Sequence, residues 1–272
     1  MNNIIILGGG ESGLGSALLA KRNKYDVFLS DSSKIHDGVK NKLVESGIGF
    51  EENSHQKAKT LKPDFIVKSP GISDANDIVK FFISNSVKII SEIEFASLHC
   101  NSRIIGVTGS NGKTTTTTLA YKLISEGGYN CTISGNIGKS FSRVCENDAD
   151  FSIVEVSSFQ LDGTESFKPH IAILNAITPD HLDRYKNFEA YVESKFKIIK
   201  NQSEKDYLIY DSDCGIIDSY IKSNKIKSKL LPFSIKKKVE QGAYFFNNEI
   251  NIITDKNKIN MPTENFLVKG NH

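Results

Sequence analysis

Ile104-Ile105-Gly106-Val107-Thr108-Gly109-Ser110-Asn111-Gly112-Lys113-Thr114-Thr115 is the most informative run of the sequence. Its β-branched start reads as a strand, its middle as a short polar loop, and the residues from Lys113 to about Ser125 as a helix. Successive backbone amides that close on a helix N-terminus form an anion nest. A lysine there adds a cation for β- and γ-phosphates, and the next hydroxyl can reach Mg²⁺. This is a phosphate-binding loop. Gly109, Ser110, Asn111, Gly112, Lys113, Thr114, Thr115 and Thr116 are its candidate nucleotide-binding residues. The loop departs from strict G-x-x-x-x-G-K-[ST], because Val107 stands where the first glycine belongs. The run Thr114–Thr118 is poor helix material, since β-branched side chains lose rotamer freedom in a helix; such a local violation is expected at a site.

Two segments downstream repeat the pattern of a strand that ends in polar residues. Strand Ser152–Val156 carries Glu155 at its end and leads into Ser157-Ser158-Phe159-Gln160-Leu161. Strand Ile171–Asn175 leads into Ala176-Ile177-Thr178-Pro179-Asp180-His181-Leu182-Asp183-Arg184-Tyr185. Both are expected on the sheet edge that bears the phosphate loop, where a carboxylate and an imidazole can bind Mg²⁺ or its water shell. Lys195 follows on a helical stretch, Phe188 to Lys200, that can fold back to this edge. Singly, Glu155 also reads as a satisfied buried carboxylate, Asp180 as an N-cap, His181 as a helix-start residue and Lys195 as a solvated helix charge.

Upstream, Ile4–Leu7, Asp26–Leu29, Phe65–Lys68 and Val87–Ile90 read as strands of a first unit. Gly8-Gly9-Gly10-Glu11-Ser12-Gly13 satisfies G-x-G-x-x-G after the first strand and before a helix, Leu14 to Arg22, with Asp31 at the end of the next strand. Glycines there let the backbone turn tightly and approach a diphosphate, while the acid can accept ribose or base hydrogen bonds. The motif does not say which nucleotide binds, and it also serves simply to pack a strand against a helix. Strand and helix alternate throughout, the mark of an α/β protein with parallel sheets. A boundary near Leu98–Arg103 separates residues 1–98 from residues 99–272. In the second part Tyr129–Ile133, Tyr207–Tyr210 and Leu230–Ser234 are further strands, and Ala243–Phe246 with Ile250–Ile253 form a hairpin around Asn247-Asn248.

Length and composition fit this division. At about 150 residues per domain, 272 residues make roughly two. With 34 basic and 32 acidic residues the net charge is +2, which gives no ground for a dedicated nucleic-acid binder. Cys100, Cys131, Cys145 and Cys214 are widely spaced and lack a C-x-x-C pair, so reduced cytosolic thiols are expected. Neither a signal-peptide core nor an apolar run of ~18 residues stands in the sequence, which makes the expectation a cytoplasmic protein without a membrane span.

These motifs together resemble the Mur ligases, ATP-dependent amide-forming enzymes of peptidoglycan precursor synthesis. Thr108 to Thr115, Gly135-Asn136-Ile137-Gly138, Glu155 with Ser157-Ser158-Phe159-Gln160-Leu161, and Asp180 to Tyr185 look like the D-glutamate-adding member; Ser69-Pro70-Gly71-Ile72 and Ser91-Glu92-Ile93-Glu94 agree. The Ser-Ser-Phe-Gln-Leu string discriminates most, because the related tripeptide synthetase usually carries Ser-Ser-His there. The resemblance implies a Rossmann-like UDP-binding domain followed by a central phosphate-loop ATPase domain with a β-rich tail. It places Ser12 and Gly13 near the diphosphate of UDP-N-acetylmuramoyl-L-alanine and Asp31 and Ser32, with Ser33, near the uracil. Gly71, Asn136, Ser157 and His181 would line the path of the sugar-peptide.

By the same resemblance, the alanyl carboxylate of the substrate attacks the γ-phosphorus of ATP, and the acyl phosphate then meets the amine of D-glutamate. Lys113, His181 and Lys195 are the catalytic candidates. Thr114 and Glu155 would hold one Mg²⁺ ion, and His181 with a carbamylated Lys195 a second. Family members have a third domain with much of the adenine and D-glutamate site, whereas this sequence reads Lys269-Gly270-Asn271-His272 where relatives continue. The expectation is a monomer that binds the UDP substrate and phosphates weakly and does not ligate alone. Three other readings remain: another Mur-type amino-acid ligase, a non-catalytic UDP-sugar-binding module, and a nicotinamide dehydrogenase built on Gly8–Gly13, which leaves the phosphate loop, Glu155 and His181 without a role.

Overall fold

A computed structural model of the chain describes residues 2–264, so the Lys269–His272 motif lies outside the described residues. Contacts group the chain into two compact units. The first takes residues up to Ile104 together with Thr117–Phe167, and the second Ile105–Thr116 together with the residues from Lys168 onward.

The first unit opens with β1 (Asn3–Leu7), α1 (Glu11–Arg22), β2 (Asp26–Ser30), α2 (Asp37–Glu45), β3 (Gly49–Glu51), α3 (Gln56–Thr60), β4 (Phe65–Lys68), α4 (Asp77–Ser84), β5 (Lys88–Ser91) and α5 (Glu92–Ser97). Its five strands are all parallel, in the order β3-β2-β1-β4-β5. Chain order reverses at β1, whose Leu7 pairs with Ser30 on one side and Lys68 on the other. The loops Gly8–Gly13 and Ser69–Ile72 therefore flank the crevice in which such sheets bind ligands. Ile5, Leu7, Phe28, Ile66, Ile78 and Phe82 fill a core against the sheet.

Helix α1 begins at Glu11, three residues before the expected Leu14, because the glycine run itself is the start of the helix. A Cβ at Gly13 would fall 1.7 Å from the carbonyl oxygen of Gly8, so only glycine lets this helix lie so close to the turn. The short edge strand β3 has no apolar alternation to announce it, and sequence reading passed over it.

β6 (Arg103–Thr108) and α6 (Lys113–Glu126) start the second series. They are followed in the first unit by β7 (Cys131–Gly135), β8 (Phe151–Glu155) and α7 (Ser158–Asp162), with β7 and β8 parallel. The strand expected at Tyr129–Ile133 starts two residues later. Tyr129 instead packs edge-on against Phe151, and the Asn130 amide donates to Asp150.

Two carboxylates of α5 tie this unit together. Glu94 is buried and accepts from the amides of Glu165, Ser166 and Phe167 at 3.0, 2.8 and 2.8 Å. Glu92, only 1% exposed, accepts from the Ser142 amide at 2.6 Å through Oε1, while its Oε2 has no hydrogen-bond partner among the described residues.

The second unit adds β9 (Ile171–Leu174), α8 (Phe188–Phe196), β10 (Tyr207–Asp211), α9 (Gly215–Ser223), β11 (Lys229–Ser234), β12 (Gly242–Phe246), β13 (Glu249–Ile253) and β14 (Lys258–Pro262). Its strands run in the order β14-β13-β12-β11-β10-β9-β6. They are parallel from β6 to β12 and antiparallel through the last two. Asn247 and Asn248 sit at φ 52° and 58°, the left-handed pair that a tight hairpin turn demands. The expected hairpin is real and gains a third strand, β14, which lies exposed at the sheet edge. The helix expected over Phe188–Lys200 ends at Phe196 and tightens into a 3₁₀ turn, Lys197–Ile199.

Burial, opposed by the Ser142 hydrogen bonds and reinforced by Glu11, raises the Glu92 carboxyl to about 7 from an ordinary 4.5. Between those values the folded chain keeps a proton that the unfolded chain has lost, so this group's contribution to stability falls as pH rises and levels off above 7. Glu92→Gln removes the titration. Its stability relative to wild type should rise by about 3 kcal/mol between pH 4.5 and 7, measured by urea unfolding; parallel stability curves for the two proteins would contradict the assignment.

Candidate nucleotide and substrate site

In the second unit, Thr108 at the end of β6 pairs with Leu174 at the end of β9, which sets the phosphate loop beside the loop after Leu174. Gly109 (φ +148°) and Gly112 (φ +76°) turn the chain where other residues strain. A Cβ at Gly109 would lie 2.7 Å from that of Asn175, so the two loops touch backbone to side chain. Asn175 in turn donates its side-chain amide to Thr116 Oγ1 at 3.0 Å, and its backbone amide to the Thr108 carbonyl at 2.9 Å.

Ser110 stitches the loop from within. Its hydroxyl donates to the Thr178 carbonyl at 2.9 Å and accepts from the Thr178 amide at 3.0 Å; the Tyr191 hydroxyl, 3.0 Å away, supplies the third hydrogen bond. Burial, offset in part by that bond, raises the Tyr191 phenol above its ordinary value.

Both candidate lysines converge on the loop. Lys113 donates to the carbonyls of Gly109 and Ser110 at 3.0 and 2.8 Å. Lys195, 2% exposed, donates to the same Gly109 carbonyl at 2.9 Å and lies 3.4 Å from Thr108 Oγ1. It reaches there from α8, where Tyr191 one turn earlier shares its buried face. Thr114 stands in the first turn of α6, where a hydroxyl can face a phosphate-bound cation. Asn111 and Thr115 are exposed, and Thr116 bonds to Asn175. His181 is half exposed at φ +53°, its Nε2 3.5 Å from Asp180 Oδ2 and its ring edge-on to Tyr191.

The first unit holds the remaining candidates. Glu155 ends β8, buried, and Asn136 donates to its Oε1 at 2.9 Å while the two backbones pair. Ser157 caps α7 in a reciprocal capping box with Gln160, which gives the Ser-Ser-Phe-Gln-Leu string a folding role of its own. Asp31 accepts from the Gly9 amide at 2.6 Å and from Ser33 at 2.8 Å, so the acid holds the glycine turn in place. Ser12 is half buried on α1, Ser32 and Gly71 are exposed, and nothing lies within 4 Å of where a Cβ at Gly71 would stand.

Among the described residues no group of three or more His, Cys, Asp and Glu stands ready for a metal. Within the second unit the hydroxyl of Thr114 and the imidazole of His181, and within the first the carboxylate of Glu155, are donors of kinds that a magnesium ion or its water shell accepts. Asn175, Thr178 and Tyr191, which brace the phosphate loop, were not singled out from the sequence as site residues. Asn175 and Thr178 stood in a quoted motif, whereas nothing local marked Tyr191.

Residues 107–269 match the Mur ligase middle domain, and residues 3–78 the MurD N-terminal domain. The chain belongs to the Mur ligase family. Curated relatives of this Mur ligase include the UDP-N-acetylmuramoylalanine–D-glutamate ligases of Christiangramia forsetii, 49% identical over 271 residues, and Cytophaga hutchinsonii, 43% identical over 274. Each match covers 99% of the chain but 61% of the relative, so the chain spans about three fifths of their length. Among solved structures, the murein peptide ligase of Neisseria meningitides shares the fold with a TM-score of 0.64 at 18% identity, over 95% of this chain and 86% of that one. The UDP-N-acetylmuramate-alanine ligase of Thermotoga maritima does so with 0.56 at 19%, over 92% and 57%. Both support the arrangement of a Rossmann-like N-terminal domain and a central domain bearing the phosphate loop. Among the described residues no helix is long and apolar enough to cross a membrane.

Ser110→Ala leaves the Thr178 amide and the Tyr191 hydroxyl without their acceptor. It should cost about 1–3 kcal/mol in chemical unfolding, and a cost near zero would mean that the hydroxyl does not hold the loop.

Proposed function

We propose that this chain is the UDP-substrate-binding and phosphate-binding portion of a UDP-N-acetylmuramoyl-L-alanine:D-glutamate ligase, a cytoplasmic enzyme that forms its amide bond at the expense of ATP. The observation that carries the reading is the convergence of Lys113 and Lys195 on the glycine loop that follows β6, in a chain 49% identical to a ligase of that name. The division at residues 98 and 99 belongs to the same proposal: UDP substrate on the first part, ATP on the second.

The chemistry asks for two anions, the alanyl carboxylate and the γ-phosphate, to meet in line, and the chain's residues answer that demand. Lys113 exchanges loop carbonyls for β- and γ-phosphate oxygens. The Gly109–Thr116 loop offers its amides to the phosphates. Ser12, Gly13, Asp31 and Ser32 hold the UDP end, and Gly71, Asn136, Ser157 and His181 the sugar-peptide. Magnesium, when bound, supplies charge neutralisation for the transfer. Thr114 and Glu155 would hold one ion, and His181 with Lys195 a second, provided that Lys195 carries the carbamate implied by the family; an ammonium cannot ligate. The acyl phosphate so formed meets D-glutamate in the full-length enzyme.

Calorimetric titration of the chain with UDP-N-acetylmuramoyl-L-alanine tests the proposal, with UDP-N-acetylglucosamine and NADH as controls. Saturable binding of the alanyl substrate in preference to both controls is expected. Preference for NADH, or no binding by a sample that unfolds cooperatively, would overturn it.

A further inference from the structure

Within the second unit, the end of α8, the 3₁₀ turn behind it and the segment following α9 line a half-open cavity of about 330 Å³. Four lysines line it, Lys197, Lys200, Lys225 and Lys227, the last three of them exposed, against one acidic residue, Glu193. That carboxylate is already engaged, since the Tyr220 hydroxyl donates to its Oε2 at 3.2 Å. Lys200, Lys225 and Lys227 make no ion pair among the described residues. Cations brought together in a concave site with low-dielectric walls repel one another, and an anion seated between them removes that cost.

Aromatic and aliphatic side chains share the lining with the lysines. Phe196 and Tyr220 stack with ring centroids 3.5 Å apart and planes 9° from parallel, and Ile199 and Ile226 extend the surface. Burial first, then Glu193, pushes the Tyr220 phenol up to about 12, so it stays a neutral donor and adds no negative charge. Gln202, 2% exposed, donates its Nε2 to the carbonyls of Pro169 and Tyr207, both at 3.0 Å. Those two bonds fix the amide's orientation and leave its buried Oε1 with no hydrogen-bond partner among the described residues.

We propose that this cavity is a second anion site of the chain, which takes a small phosphorylated molecule with a planar or apolar carbon part. The phosphate oxygens lie among Lys200, Lys225 and Lys227, and the carbon part lies on the Phe196–Tyr220 wall. The site is coupled to the phosphate loop by covalent geometry, because α8 sends Lys195 to the Gly109 carbonyl and the next residues, Phe196 and Lys197, to the cavity. An occupant that shifts the end of α8 also shifts the lysine that holds the loop.

The test is a titration with phenyl phosphate followed through backbone amide chemical shifts, with inorganic phosphate as a second probe and Lys113→Ala as the background that removes binding at the loop. Saturable shifts over residues 197–202 and 224–227 are expected, and they should persist in Lys113→Ala. The pair Lys225→Glu and Lys227→Glu, both exposed positions, should weaken phenyl phosphate by about tenfold or more while the unfolding midpoint stays in place. Inorganic phosphate, without a ring, should bind more weakly. Shifts confined to residues 108–116 that vanish in Lys113→Ala would overturn the proposal. So would an affinity indifferent to the double charge reversal. Equal affinity for the two probes would remove the aromatic wall from it.

Discussion

The carbonyl oxygen of Gly109 accepts from two ammonium groups, Lys113 at 3.0 Å and Lys195 at 2.9 Å, and the phosphate loop is organised around that convergence. Two cations stay so close only because the surrounding structure holds them. Lys113 is bound to the first turn of α6 by its sequence position, and Lys195 is buried on α8 beside Tyr191. The glycine is required twice over, for its φ of +148° and for the Asn175 Cβ that leaves no room for a side chain. The result is a loop whose own carbonyls stand in for phosphate oxygens. On the proposed function a triphosphate enters by exchange of acceptors rather than by assembly of a new site, and preorganisation of this kind lowers the cost of binding.

The first unit obeys a different constraint, the satisfaction of backbone amides by buried carboxylates. Glu94 gathers three consecutive amides, Glu92 one, and Asp31 those of Gly9 and Ser33. Each carboxylate replaces water on backbone amides that regular pairing does not satisfy. The Ser91-Glu92-Ile93-Glu94 string, read from the sequence as a family mark, thus works by anchoring residues 142 and 165–167 to α5. Ser157 does the same for α7, since its hydroxyl and its amide are both engaged with Gln160.

What the sequence disclosed follows from how locally each feature is encoded. The phosphate loop and the glycine turn were legible because the backbone there demands glycine, and that demand shows in the residue type. The strands were legible from β-branched runs, apart from β3 with three residues and β14, an exposed antiparallel edge that ends in proline. The braces of the loop were not legible. Ser110 and Tyr191 are 81 residues apart, and Ser110 and Thr178 are 68, so no spacing announces their hydrogen bonds. Asp31 was read as a contact for a nucleotide; that it also holds Gly9 depends on a turn only the folded sheet creates. The helix over Phe188–Lys200 was expected as one element, and the 3₁₀ turn that ends it gave no warning in composition.

Hydrogen–deuterium exchange over residues 108–116, with and without Mg²⁺–ATP, tests most directly whether this lysine-held loop receives a triphosphate. Slowed exchange of these amides is expected in the wild-type chain, and little or none of that slowing in a folded Lys113→Ala. Exchange unchanged by the nucleotide in wild type, or slowed equally in both proteins, would contradict that assignment.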